Sequence, residues 1–516
     1  MSVQHKASCD TGHIQPVTFT AHKTTIAEII AIAHGAPLLL DATALAGLNA
    51  LQACLQDAIA HQRPIYGLTT GVGDQYSVQL SAAEISNAQI GMLRSHACGI
   101  GAAYPHTVVR AIMATMIRAL LQGHSGVGPT LVSTMAAMLN RDVIPYAPSK
   151  GSVGYLIATA HIGLVLFGEG EATYKGERLP GRIAMERAGL APLTPGPREG
   201  HALISGTYEI TAIGALAFDQ ARRAVELADL AGCMALEALR GNNRGYDPDL
   251  QSLRPHPGQV DTADRLQRLL AHSEIMAVNQ NHRLQDALSL RCIPQVHGAA
   301  RDAMTYVGQV LETEINAVTD NPVFIWRNNT YDTLPGGNGH GAPTALALDT
   351  LAIASISNMS QARSDRLTNT FLSGLPPFLA PEGSGQSGLM IPPYAAAAAA
   401  AENRCLAAPS SVHSLSTCAG QEDHTSMGVY AAQKALTASD NTLDVIGIEL
   451  LCAAQALEYQ HPLRPGNGVL AAYETIRACV PPRRADTAIY PELRAIRSLM
   501  DTGALSAAVD AALSQQ

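Results

Sequence analysis

The chain has 516 residues, 47% of them hydrophobic and 15% charged, with a formal net charge of −9. That length allows a large buried core, and so low a charged fraction implies that much surface is covered, in one core or between subunits. The acidic balance without a long basic run excludes a nucleic-acid partner, and apolar runs such as Ile162 to Phe167 are too short to span a bilayer.

Smaller features of the composition point the same way. Nine cysteines are spread along the chain without CxxC pairs, the pattern of reduced thiols in a cytoplasmic protein. The 18 histidines include no HExxH, so no metal site is expected. The Gly-rich loops are neither GxGxxG after a strand nor a phosphate-binding P-loop. Aromatic residues make up only 4%, so Leu, Ala, Val and Ile must fill the core, which favours helix over sheet.

The opening residues, Met1 to Thr20, are polar and mixed, without a signal peptide's apolar stretch. From Thr24 to Ala60 apolar residues recur at helical spacing, broken by Gly35, Pro37 and Gly47. A Gly-rich turn follows, Tyr66-Gly-Leu-Thr-Thr-Gly-Val-Gly73, and helical patterning runs from Ala82 to Met138. A second Gly-rich loop, Gly151-Ser-Val-Gly154, leads into the apolar stretch Leu156 to Phe167, and Tyr174 to Pro180 has the polarity of a small hairpin. After Gly206 the pattern is one of long helices: Ile210 to Arg240, Val260 to Ser273, Pro294 to Ile315, Ala342 to Asn369, Pro393 to Leu406 and Met427 to Gln460. The alanine run Ala395 to Ala401 belongs to one of these helices rather than to a linker. Helices this long bury their faces against parallel neighbours, which predicts a helical bundle.

Several polar clusters sit at glycines or helix ends. Tyr66 opens a turn where backbone can approach a ligand closely; it reads either as a general base with a lowered pKa or as a tyrosine capping a core. Ser95-His96 ends a helical segment before Gly99. Gln285 and Arg291 lie six residues apart in an apolar setting, where the arginine needs an anion. A substrate carboxylate and a structural salt bridge both satisfy that need. Gln421-Glu-Asp-His424 is too polar for an ordinary core.

The order and wording of these segments together resemble the histidine/phenylalanine ammonia-lyase superfamily, and histidine ammonia-lyases above all. The resemblance runs from about Thr24 to Ala511. It is carried by Tyr66 to Gly73, Leu93-Arg-Ser-His96, Gly151 to Gly154, Leu166-Phe-Gly-Glu-Gly170 and Leu253-Arg-Pro-His-Pro-Gly-Gln259. It continues through Ser289-Leu-Arg-Cys-Ile-Pro-Gln295, Glu314 to Pro322, Gly374-Leu-Pro-Pro-Phe378 and Gln421-Glu-Asp-His-Thr-Ser-Met427.

The resemblance implies a mainly α fold, a long parallel helical bundle of the fumarase/aspartase-like type with a smaller loop-rich N-terminal region. Residues 1–205 would form the catalytic-loop region and 206–516 the long-helix region of one continuous unit. It also implies a homotetramer whose active sites are each built from loops of three subunits, acting on an amino acid or carboxylate ligand. In this family an internal Ala-Ser-Gly cyclises to a methylidene-imidazolone (MIO), which takes up the substrate's amine while a base removes the β-proton. Carried over residue by residue, Tyr66 matches the base, Arg291 the carboxylate-binding arginine and Gln285 a pocket glutamine. His96 and Glu422 match the pair around the imidazole ring in the histidine-specific branch, so a polar ring is the expected side chain. Asn338 and Gln421 complete the expected substrate-binding set.

One part of the pattern departs from the family. Gly154, which closes the Gly-Ser-Val-Gly that precedes the electrophile in the family, is followed directly by Tyr155-Leu-Ile-Ala-Thr-Ala-His161, a gap of three residues where the family carries Ala-Ser-Gly. A MIO group is expected only if that triplet was dropped from the written sequence between Gly154 and Tyr155; otherwise there is no cofactor. Tyr155 replaces an aspartate, Ser205 an asparagine, Leu288 a second tyrosine and Gly339 a phenylalanine. All four changes surround the electrophile, which favours true loss of the triplet, and the smaller Ser205 and Gly339 predict extra room in the pocket.

Three readings follow. The first is a C–N lyase or aminomutase using MIO on a histidine-like or polar aromatic amino acid. The second keeps the pocket without MIO, with Tyr66, Glu422 and Tyr155 doing acid–base chemistry on a carboxylate ligand, as addition–elimination, isomerisation or cyclisation. The third is a non-catalytic binding subunit.

Overall fold

The computed structural model describes residues 15–515, so Cys9 and most of the Met1 to Thr20 opening lie outside the described residues. The described chain is mainly helical, with strands confined to small two- and three-stranded sheets. Its longest helices are Tyr208–Ala238, Ile293–Ile315 and Gly428–Leu457. Helix starts are specified locally. Thr25 and Glu28 form a reciprocal capping box at Ile26–Ala33, and Asp41 accepts from Ala44 N at 2.9 Å to begin Ala42–Ala60. The alanine run lies inside the helix Pro392–Leu406, and Glu171–Tyr174 pairs with Glu177–Pro180 as the expected hairpin.

Two stretches read as continuous helix are broken. Ala82 to Met138 divides into Ala82–His96, the strand Ile100–Ala103, His106–Leu120 and Pro129–Asn140. Gly123 and Gly126 take positive φ between His106–Leu120 and Pro129–Asn140, a backbone region that breaks a helix, and Gly101 does so within the strand. Ala342 to Asn369 divides into Ala342–Ile353 and Ser357–Thr368. There the Ser355 hydroxyl hydrogen-bonds those of Ser357 and Thr442 at 3.0 and 2.9 Å, a local alternative to the helical ladder. The hairpin Val323–Arg327/Thr330–Leu334 was not expected; Asn328 and Asn329 both take positive φ in its two-residue turn. Three C-terminal helices, Asn467–Cys479, Tyr490–Asp501 and Ala504–Leu513, complete the chain.

By their internal contacts the residues fall into two units. The first holds the described residues up to Leu216 together with Gln309–Leu346 and Ser410–Gln433. The second holds Ala217–Gly308, Ala347–Pro409 and the chain from Lys434 onward. In the first unit Leu51, Leu55, Ala58, Ile65, Leu68, Ile85 and Phe324 form a buried cluster directly beneath the Tyr66 turn. A fully buried ion pair, Arg198 Nη2 to Asp320 Oδ1 at 2.8 Å, ties the start of the helix Glu199–Ile204 to residues 320–324. In the second unit Arg363 and Glu449 form another buried pair, with the Ser360 hydroxyl donating to Glu449 Oε2 at 2.6 Å. Among the described residues no helix is long and apolar enough to cross a membrane.

Candidate active site

Nine of the twelve expected site residues belong to the first unit. Tyr66 sits in a tight turn anchored by Ile65, whose carbonyl accepts from the amides of Leu68, Thr69 and Thr70. The Thr69 hydroxyl closes the turn, accepting from Ile65 N at 2.7 Å and donating to Arg63 O at 2.6 Å. The Tyr66 hydroxyl accepts the Gly73 amide at 2.7 Å. Gly67 is obligatory: it takes φ +67°, and a Cβ there would overlap the ring of His201. His201 is buried against Arg198, and burial holds its imidazole well below the usual pKa, hence neutral. Burial also raises the Tyr66 pKa, which the Gly73 amide opposes; Cys418 and Glu422 raise it further and Arg198 lowers it. Tyr66 therefore rests as a neutral phenol, and a positive charge brought close would favour its phenolate.

The loop from Gly151 to Tyr155 supplies the second phenol. Tyr155 donates to Glu422 Oε1 at 2.7 Å, and the Thr417 hydroxyl donates to Glu422 Oε2 at 2.9 Å. Burial followed by the Glu422 contact pushes the Tyr155 phenol far up, so it too is a donor. The loop is pinned from both sides. Ser152 Oγ donates to Tyr155 O at 2.9 Å, and Met427 N donates to Val153 O at 2.8 Å. Behind it lies Glu209, fully buried, accepting from Tyr104 OH at 2.7 Å and stabilised by Ser152; burial pushes its pKa up to about 7. Leu156, next in sequence, takes φ +83° and ψ −50°, a strained conformation for a leucine at the entry to the helix Ile157–Leu166.

Ser205 does not open space. Its hydroxyl donates to Asn321 O at 3.0 Å and accepts from Asn321 N at 2.9 Å. Gly339 packs so closely that an added Cβ would lie 2.8 Å from the Ser205 carbonyl oxygen. The extra room expected from these two small residues is therefore absent, because backbone has closed in. Asn338 donates to Val318 O at 3.0 Å, and neighbouring His340 Nε2 meets His424 Nδ1 at 2.9 Å.

His96 ends its helix with Nδ1 2.8 Å from Met92 O, and Gln421 is exposed with its amide donating to Cys418 O at 3.0 Å. Gln285, Leu288 and Arg291 belong to the second unit. Leu288 is 61% exposed, and Arg291 Nε donates to Asp286 O at 3.1 Å. Among the described residues no carboxylate pairs with Arg291, which leaves its charge available to an anion. Sequence reasoning missed Thr417, His201 and Glu209. Thr417 had a signal, lying five residues before Glu422 in the same polar loop; the other two act through contacts across the fold.

The residues of the loop do not fit a MIO group. That group cyclises from Ala-Ser-Gly, and residues 151–157 read Gly-Ser-Val-Gly-Tyr-Leu-Ile. A Cβ on Gly154 would come within 2.5 Å of Ser426 Oγ, and Tyr155 is committed to Glu422.

Comparison with known proteins gives the family. The aromatic amino acid lyase family matches residues 24–478. Histidine ammonia-lyase of Myxococcus xanthus is 41% identical over 492 residues, covering 94% of this chain and 96% of that protein. Histidine ammonia-lyase from Trypanosoma cruzi superposes with a TM-score of 0.90 at 34% identity, covering 96% of each chain. The ergothioneine-degrading enzyme ergothionase from Treponema denticola superposes with a TM-score of 0.88 at 27% identity, covering 95% of this chain and 99% of that one. Members of the family use MIO. The chain belongs to the aromatic amino acid lyase family, with histidine ammonia-lyases among its relatives, and is a carbon–nitrogen lyase by that membership.

Proposed function

We propose that this protein eliminates an amine from a histidine-like carboxylate without an internal electrophile. The observation that carries the reading is Tyr155, which follows Gly154 directly and gives its phenol to Glu422 at 2.7 Å. An amine that can lose a proton is a poor leaving group, and nothing in the loop activates it. A nitrogen that leaves unaided must keep its charge until the Cα–N bond breaks. A quaternary ammonium does so, departing as a neutral tertiary amine. The likeness to an ergothioneine-degrading enzyme supports this substrate class, since ergothioneine is a trimethylammonium betaine of a histidine derivative.

In this scheme Tyr66, as phenolate, takes the β-proton. The Cβ–H electron pair forms the Cα=Cβ bond, and the Cα–N pair leaves with the tertiary amine. The substrate's permanent positive charge offsets the burial that keeps Tyr66 protonated at rest. Glu422 and His96 face the ring in this scheme, and Arg291 and Gln285 keep the carboxylate-binding role that the family resemblance implies. Gly154, Ser205, Asn338, Gly339 and Gln421 complete the first unit's part of the lining.

The test is to incubate the protein with histidine and with its α-N-trimethyl betaine and measure released amine. Trimethylamine from the betaine and no ammonia from histidine is the expected result. Ammonia from histidine at a comparable rate overturns the reading.

We further propose a cytoplasmic homotetramer. Leu284 and Phe371 are each 96% exposed and Leu253 is 83% exposed, surfaces that favour covering by partner subunits. Light scattering at micromolar concentration should report four chains; a monomer contradicts the assembly.

A further inference from the structure

The carboxylate expected to read the ligand's ring is already occupied by the chain itself. Glu422 Oε1 accepts from Tyr155 at 2.7 Å and Oε2 accepts from Thr417 at 2.9 Å, one hydroxyl donor on each oxygen. The two donors differ in freedom. Thr417 is fixed by the backbone pairing of its own loop, its amide donating to Glu422 O at 2.8 Å. The Tyr155 phenol reaches Glu422 on a long side chain from the loop Gly151 to Tyr155. A ring N–H approaching Oε1 must therefore displace or share the bond that Tyr155 already makes. Because the carboxylate does not start unpaired, the penalty that would punish a plain phenyl ring is largely removed. Polar-ring selection through Glu422 was expected from the sequence, and this arrangement works against it.

We propose that Tyr155 is a specificity-determining residue: its phenol competes with a ligand's ring N–H for Glu422 and thereby suppresses imidazole selection. The proposal rests on the reading that the ligand is a histidine-like carboxylate. It predicts broader side-chain tolerance in this protein than a bare Glu422 would give, with selection at the nitrogen end of the substrate rather than at the ring.

The test is equilibrium binding, by calorimetry on the full-length protein, of two unreactive probes, 3-(imidazol-4-yl)propionate and 3-phenylpropionate. The parent should bind the two with affinities within about threefold of each other. Tyr155→Ala should favour the imidazole probe by about tenfold or more, the worth of satisfying one exposed carboxylate oxygen. Adding Glu422→Leu to Tyr155→Ala, which removes both acceptor oxygens, should abolish that gain. Tyr155→Phe, which keeps the ring's packing and removes only the hydroxyl, should move the ratio in the same direction by less, and it guards against misfolding of the alanine variant. An unchanged ratio in both Tyr155 variants overturns the proposal while leaving the carboxylate reading intact. Failure of both probes to bind parent and variants alike overturns the two together.

Discussion

Replacing Tyr66 with phenylalanine should slow tertiary-amine release from the betaine by about 10²–10⁴-fold, the usual contribution of a positioned general base. The loss should appear in kcat more than in KM. The variant keeps the ring that meets His201 at 5.6 Å between centroids and removes only the hydroxyl held by Gly73 N. Stability should change little, because the Gly73 amide sits in a partly exposed turn where water can replace the phenol. A parent rate that rises with pH as the phenol ionises, and a flat residual rate in the variant, would identify Tyr66 as the titrating group. A variant that keeps most of the parent rate would move the base elsewhere, with Glu422 the remaining acceptor in the first unit's site.

The second large effect concerns stability. Asp320→Ala should destabilise the protein by about 3–5 kcal/mol, the cost of leaving one member of a buried ion pair alone. Arg198 is completely buried, and its Nη2 is held by Asp320 at 2.8 Å and Pro322 O at 3.0 Å. Its Nε already lacks a partner, so the guanidinium has no reserve. Asp320 also accepts the Asn321 amide at 2.7 Å, and Asn321 in turn carries both hydrogen bonds of Ser205. The damage should therefore spread towards the site as well as lowering the denaturation midpoint. Asp320→Asn, which keeps shape and loses charge, should cost less. A midpoint unchanged in Asp320→Ala would show that the pair is not what holds residues 198–201 to 320–324.

How far the sequence foretold this follows from the range of each interaction. Tyr66, Gly154 and Glu422 stood out as candidates because the short segments around them resemble the family's. Tyr155 was visible as a departure from the family, but its bond to Glu422 spans 267 residues and no local pattern encodes it. Gly339 was read as space because a missing side chain suggests a void; the backbone of Ser205 fills it instead. His201 escaped because its role is to occupy the volume beside Gly67, which only the folded chain reveals. The long helices were plain in the apolar periodicity. The end of a helix at His96 was marked by Gly99, but the breaks at Gly123 and Ser355 were not plain, since one glycine or serine inside a helical pattern is compatible with continuation. The hairpin Val323–Arg327/Thr330–Leu334 had its signal in Asn328-Asn329, two residues suited to the positive φ of a tight turn.

Amine release without an internal electrophile requires that the chain lack the Ala-Ser-Gly triplet, and the intact mass of the purified protein tests that most directly. The predicted mass is that of the 516-residue chain, allowing for loss of the initiator methionine, with borohydride leaving amine release untouched. A mass greater by one Ala-Ser-Gly less two waters, together with inactivation by borohydride, would contradict it.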